Sequence, residues 1–245
     1  MRRFYIEADQ MNGQAAEITG TEARHIRTVL RMQPGDRLEL VDGSGYAYDS
    51  RIQSISEDQI QVEVLGRYPT AAESSLELSI ALGFLKDKKM DVLVRHLTEL
   101  GITRFIPMWT ARAVARPPEK RIASRMERWQ SIAKEAVKQS QRGRTPEIAR
   151  PLTFNEALDL GSQSDKRLIF WEQADAALPP EASAMPNAAS VFVLLGPEGG
   201  FTAKEARTAI DKGFSPISMG PRILRAETAA ITACALVQYL FGDMS

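Results

Sequence analysis

The hydrophobic pattern of the chain changes period near residue 70. Before that point apolar residues alternate with polar ones in short runs, Phe4 to Ile6, Arg37 to Val41, Tyr46 to Ile55 and Gln59 to Leu65, which predict strands. Turn signals at Pro34-Gly35-Asp36 and Asp42-Gly43-Ser44-Gly45 separate them. One helical stretch interrupts the strands. Over Glu22 to Leu30, Ile26, Val29 and Leu30 share a face, His25, Arg27 and Arg31 fall elsewhere, and Thr21 stands where a cap is expected. Residues 1–70 are therefore expected to form a small β-barrel-like domain, with Arg67 to Ser75 as linker.

From Leu76 onward, aliphatic runs alternate with helical patterns. Leu76 to Leu82, Ile102 to Met108, Leu168 to Trp171, Val191 to Leu195 and Phe214 to Met219 read as strands. Met90, Leu93, Val94, Leu97 and Leu100 mark a helix face that stops at Gly101, and Ile122, Met126, Trp129, Ala133, Ala136 and Val137 mark a longer one. This alternation predicts an α/β domain over residues 71–245: a mainly parallel sheet covered on both faces, with ligands at the carboxyl ends of its strands.

Two loops in that second region carry candidate chemistry. Leu194 to Phe201 (LLGPEGGF) and Met219 to Ala229 (MGPRILRAETA) each follow an apolar run and precede a helical pattern, the setting in which backbone amides hold a ligand. Thr202 and Glu205 have the spacing of a capping box, so the next helix should begin near Ala203. The first loop is not Gly-x-Gly-x-x-Gly, and no acidic residue for a ribose ends the following strand, which disfavours a nicotinamide site. It also lacks the Gly-Lys-Ser/Thr ending of a nucleotide-triphosphate loop. In the second loop, apolar Ile223 and Leu224 lie between Arg222 and Arg225, where a turn would normally be polar. An apolar turn points to packing against a flat ligand or a second loop.

Composition narrows the setting. The 245 residues are 44% apolar, enough for a sizeable core, and the longest apolar stretch, Ala229 to Phe241, is too short and too interrupted for a membrane span. No secretory signal is expected at the N-terminus. Cys234 is the one cysteine, which favours a reducing cytoplasm, a core role for its thiol and no Cys/His metal site. Formal net charge is zero, yet Arg112 to Arg144 hold ten basic residues against three acidic ones. A run this lopsided favours a phosphate-bearing partner.

These residues carry a family resemblance. The loops GPEGGF (Gly196 to Phe201) and ILRAETA (Ile223 to Ala229) are similar to those of the SPOUT superfamily of RNA methyltransferases, specifically the bacterial 16S rRNA uracil-N3 methyltransferases. RHIRTVLRMQPGD (Arg24 to Asp36) resembles that family's N-terminal RNA-binding motif, KDKKMDVLVRHLTELGI (Lys86 to Ile102) its first SPOUT helix and EAVKQSQR (Glu135 to Arg142) its helix with a Gln-Ser pair. Arg95-His96-Leu97 departs from the Lys-Ala more usual before Thr98-Glu99-Leu100-Gly101, so no role is carried over to His96.

The resemblance implies a PUA-like N-terminal domain and a C-terminal domain tied in a trefoil knot, an exception to the rule against threaded loops. It implies S-adenosylmethionine between the two loops, held by Leu195, Gly196, Pro197, Gly200, Met219, Gly220, Ile223, Leu224 and Arg225. It further implies a cytoplasmic homodimer acting on 16S rRNA or the 30S subunit, with no metal and no membrane partner. Arg225, as anion stabiliser, and Glu198, as proton acceptor, are the candidate catalytic residues. For RNA the candidates are Arg3, His25, Arg27, Arg31, Arg112, Arg116, Arg142 and Arg144. Two alternatives stay open: a SPOUT enzyme acting on another base or a ribose 2′-hydroxyl of rRNA or tRNA, and a non-catalytic RNA-binding module.

Overall fold

The computed structural model describes residues 1–86, 88–113, 118–176 and 188–244. Its contacts group the chain into two compact units, one of residues 1–73 with 134–145, the other of residues 74–133 with 146–245. The segment 134–145 begins inside the basic helix, Glu119–Ser140, and clusters with the N-terminal unit.

The first unit is a six-stranded sheet. Its strands are β1 (Arg3–Tyr5), β2 (Met11–Asn12), β3 (Ala15–Thr19), β4 (Arg37–Val41), β5 (Tyr46–Ile55) and β6 (Gln59–Pro69), in spatial order β1-β4-β5-β6-β3-β2. All pairings are antiparallel except β1 with β4. Alternation along the strands buries Phe4, Ile18, Leu38, Leu40, Ile52, Ile60 and Val62 in one core, closed by Ile26. The helical stretch starts earlier than its sequence suggests. Helix α1 spans Gly20–Arg24 with Thr19 at its N-cap and no side-chain cap, so Thr21 is not the cap. The next turn, His25–Val29, widens to a π-helix through bonds such as Leu30 N to His25 O at 3.0 Å, leaving Val29 67% exposed rather than on the apolar face.

The second unit is a parallel sheet. Strands β7 (Glu77–Gly83), β8 (Arg104–Trp109), β9 (Glu147–Ile148), β10 (Leu152–Thr153), β11 (Lys166–Phe170), β12 (Ser190–Leu195) and β13 (Ser215–Ile217) run in the order β10-β8-β7-β12-β11-β13, with β9 beside β8. Every pairing is parallel. Helices α2 (Lys89–Glu99), α3 (Glu119–Ser140), α4 (Phe154–Gly161), α5 (Ala203–Asp211) and α6 (Ala226–Phe241) follow in chain order. Because neighbouring residues of a strand point to opposite faces, Val191, Val193 and Leu195 join one core with residues of α2, α3 and α6. Phe192 and Leu194 join another with Phe154, Ala157, Ala206 and Ala209 of α4 and α5. Two covered faces are what a parallel sheet requires.

Several strands stop within two residues of their expected ends, and α5 starts at Ala203 behind a complete Thr202–Glu205 capping box. Helix α4 has a second such box at Thr153 and Glu156, a signature the sequence also displays. Cys234 is fully buried in α6, as a small core residue should be. Among the described residues no helix is long and apolar enough to cross a membrane, and no cluster of His, Cys, Asp and Glu could hold a metal.

Candidate cofactor site in the C-terminal unit

Strands β11, β12 and β13 lie side by side, so the loops that leave their carboxyl ends meet. Their parallel register sets Phe170 beside Leu195 and Ile217, and Trp171 N donates to Ile217 O at 3.0 Å. Between these loops lies a cavity of about 590 Å³, a size suited to a small-molecule cofactor. Leu195, Gly196, Pro197, Glu198 and Gly200 line it from the first loop, and Met219, Gly220, Ile223 and Leu224 from the second. Arg225 does not line it: it stands at the N-cap of α6, exposed, with no ion-pair partner among the described residues.

The third wall was not legible in the motifs. Phe170, Trp171, Glu172, Ala174 and Asp175 follow β11 and reach the cavity only because β11 pairs between β12 and β13. Local sequence carries no sign of that adjacency.

Gly200 makes the first loop possible. Its amide donates to Pro197 O at 2.9 Å, closing a turn, and its φ of 66° lies where a side chain is disfavoured. A Cβ there would also sit 3.2 Å from both carboxylate oxygens of Glu172. The loop then runs into Thr202, whose hydroxyl accepts from Glu205 N at 3.1 Å.

Glu198 is held by its neighbours. The amide of Lys86 donates to its Oε1 at 3.1 Å, and Lys89 Nζ lies 3.3 Å from the same oxygen. Partial burial pushes the Glu198 carboxyl up, but the Lys86 amide and the Lys89 ammonium outweigh this and hold it below its ordinary value. Lys89 also reaches Glu227 in the first turn of α6, at 3.1 Å, so one ammonium ties the two loops together. Its hydrogen bond with Glu227 is the main reason that its own titration is raised.

The candidate RNA residues divide. His25 and Arg31 are exposed in the N-terminal unit, His25 edge-on to Phe4 with ring centres 6.5 Å apart. Arg27 reaches the carbonyls of Ser56 and Glu57, and Arg144 is exposed while its amide donates to Glu73 at 2.8 Å. Arg3 and Arg142 are instead built into the unit. Arg3 pairs with Glu39 and donates to Arg142 O at 3.1 Å, while Arg142, 2% exposed, lies 3.0 Å from Glu73. Arg112 faces the cofactor loop, donating to Gly199 O at 2.9 Å and Phe201 O at 3.3 Å. Arg116 lies outside the described residues. The basic stretch is also partly neutralised by Arg128–Asp91, Lys134–Glu7 and Lys138–Glu22.

A second cavity, of about 560 Å³, opens beside Trp109, Thr153 and Lys204. The starts of α4 and α5 flank it, where Glu156 accepts from Thr153 N and Glu205 from Thr202 N.

Comparison with known proteins agrees with the geometry. Residues 72–238 match the model of an RNA methyltransferase domain and residues 18–65 that of an RNA methyltransferase PUA domain. Ribosomal RNA small subunit methyltransferase E of Bacillus subtilis is 32% identical over 98% of this chain and 96% of its own. The protein of that name from Synechocystis is 31% identical over 97% of this chain and 77% of its own. Among solved structures, ribosomal RNA small subunit methyltransferase E of Neisseria gonorrhoeae, bound to S-adenosylmethionine, superposes with a TM-score of 0.88 at 31% identity over all of both chains. A methyltransferase of Legionella pneumophila, in complex with the same cofactor, gives 0.87 at 29% identity over 98% of each. With its PUA domain and its SPOUT-type parallel sheet, the chain belongs to the ribosomal RNA small subunit methyltransferase E family of S-adenosylmethionine-dependent enzymes.

Proposed function

We propose that the protein methylates N3 of a uridine in 16S ribosomal RNA, with S-adenosylmethionine in the cavity between the loops after β11, β12 and β13. The observation that carries this reading is the convergence of both family loops on one cavity of about 590 Å³. The lining suits the cofactor: Leu195, Met219, Ile223 and Leu224 offer apolar surface, and the glycines leave backbone groups exposed for an adenine edge. When bound, S-adenosylmethionine supplies an electrophilic methyl group on its sulfonium.

The chain's own side chains then have to manage a proton and a charge. Uracil N3 bears a hydrogen that must leave before or during attack, and the charge that develops spreads over the ring carbonyls. Arg225, exposed at the N-cap of α6 with no ion pair among the described residues, is the guanidinium we assign to that charge. Glu198 was the candidate proton acceptor. Already ionised below its ordinary range and holding Lys86 and Lys89, it is better suited to fixing the loop. His25, Arg27, Arg31 and Arg144 are the residues we assign to RNA phosphates.

We also propose that a second copy of the chain completes the site, as the resemblance implies. Supporting this, Ile223 at the cavity rim is 89% exposed and Tyr239 on α6 46% exposed in the single chain. An enzyme working on ribosomal RNA would act in the cytoplasm.

The test is incubation of purified protein with S-adenosylmethionine and either naked 16S RNA or small subunits, followed by mass spectrometry of the nucleosides. The expected product is 3-methyluridine. A 2′-O-methylated nucleoside, another methylated base or no product would overturn the assignment.

A further inference from the structure

We infer that Arg112 is a positioning residue that clamps the cofactor loop from outside the cavity, and that its charge serves this loop rather than RNA. The inference rests on the reading of that cavity as the S-adenosylmethionine site.

The loop has little of its own to hold it. Between Gly196 and Phe201 the turn bond from Gly200 N to Pro197 O is the internal backbone hydrogen bond. The carbonyls of Gly199 and Phe201 lie on either side of the left-handed Gly200 and need donors from elsewhere. Arg112 Nη1 meets both, at 2.9 and 3.3 Å. The preceding residue adds a second stitch, because Ala111 N donates to Glu205 Oε1 at 2.8 Å. The other oxygen of Glu205 takes the amide and hydroxyl of Thr202, each at 2.8 Å. The segment leaving β8 is thus laced to the cofactor loop at its crest and at its exit into α5.

The fit leaves no slack. A Cβ on Gly199 would lie 3.1 Å from Cβ of Arg112, tighter than ordinary contact and close to backbone that cannot swing aside. A charged donor to two neutral carbonyls is also an arrangement that added salt weakens little, unlike a phosphate contact. Arginine keeps its charge at any working pH and presents several donors in a rigid fork, whereas lysine would offer a compact ammonium on a flexible stem. Arg112 does not itself line the cavity, whereas Gly199 and Phe201 do, so its influence on the cofactor passes through the loop.

Calorimetric titration of the full-length protein with S-adenosylmethionine tests this, beside RNA binding measured at several salt concentrations. Arg112→Ala should raise the cofactor Kd about tenfold, the loss of roughly one charge-assisted hydrogen bond. Arg112→Lys should fall between, and methylguanidinium in the buffer should restore part of the Arg112→Ala loss. RNA affinity and the slope of its logarithm against log salt should stay as in the wild type. Unchanged cofactor affinity in Arg112→Ala would overturn the clamp, and an RNA salt slope smaller by about one would make the side chain a phosphate contact. Should Arg112→Ala not fold, Gly199→Ala carries the test, since its Cβ pushes on the same side chain; wild-type cofactor affinity there would also overturn the inference. Wild-type protein that fails to bind S-adenosylmethionine at all would instead remove the cofactor reading on which the clamp depends.

Discussion

Gly200→Ala probes the cofactor loop at the position where backbone conformation matters most. At a φ of 66° an L-residue pays roughly 1–2 kcal/mol relative to glycine. The added methyl group would also stand 3.2 Å from both oxygens of Glu172, closer than most such contacts, so the Glu172 carboxylate would have to shift as well. If the free loop relaxes away from this conformation, the strain returns on binding and the S-adenosylmethionine Kd rises about 5- to 30-fold. Should the loop stay as it is, the same amount is lost from the folding free energy. Calorimetric titration and urea denaturation of the same variant measure both terms, whose sum should be about 1–2 kcal/mol. Wild-type values in both experiments would refute the left-handed turn and, with it, the account of how the first loop faces the cavity.

Three further outcomes follow from the same geometry. Trp129, 1% exposed and packed between Phe84 and Phe105 with its indole nitrogen 3.0 Å from Asp91 Oδ1, should cost about 3–5 kcal/mol when changed to Ala, read as a lower urea midpoint. Arg31→Ala should weaken binding of small-subunit RNA and reduce its salt slope by about one; an unchanged slope would remove Arg31 from the phosphate set. For Glu198 the sign is fixed by its depressed titration: a carboxylate lowered from its ordinary 4.5 supports the fold above that value and loses this support only as pH falls through its still lower folded value. Cofactor affinity should therefore show no Glu198-dependent change between about pH 6 and 9, and an inflection there that Glu198→Gln abolishes would reinstate a titrating base.

How far the sequence could be read depended on how local each determinant was. The start of α5 was legible because Thr202 and Glu205 carry their interaction within one turn, and the ends of β4 and β5 because alternation is a nearest-neighbour property. Strand β3 is hard to read from the sequence, although Ala16 and Ile18 alternate, because small and charged neighbours mask a run of five residues. The capping box of α4 has the same local signature as that of α5. Charge was the least legible property of all. Arg3, Arg112 and Arg142 look alike as candidate phosphate-binding arginines in the sequence, yet one pairs with Glu39, one serves the cofactor loop and one lies buried against Glu73. Each partner is distant in the chain, and only the pairing of strands decides which arginines remain at the surface.

The same non-locality explains why the cavity is built as it is. Its walls come from three strand ends brought together by the order of β12, β11 and β13, and none of the three loops can be shaped by its own residues alone. Glycines give the loops freedom to approach a ligand, and that freedom has to be removed by contacts from elsewhere if the site is to be ready before the ligand arrives. In the first loop those contacts are Lys86 and Lys89 on Glu198 and Arg112 on Gly199 and Phe201. Lys89 extends the restraint to Glu227, hence to α6 and the second loop. Lys89→Met should accordingly loosen both loops, so that limited proteolysis cuts the variant within residues 196–201 and 218–225 faster than the wild type and added S-adenosylmethionine restores protection. Faster cutting in only one of the two segments would mean that Lys89 does not couple them.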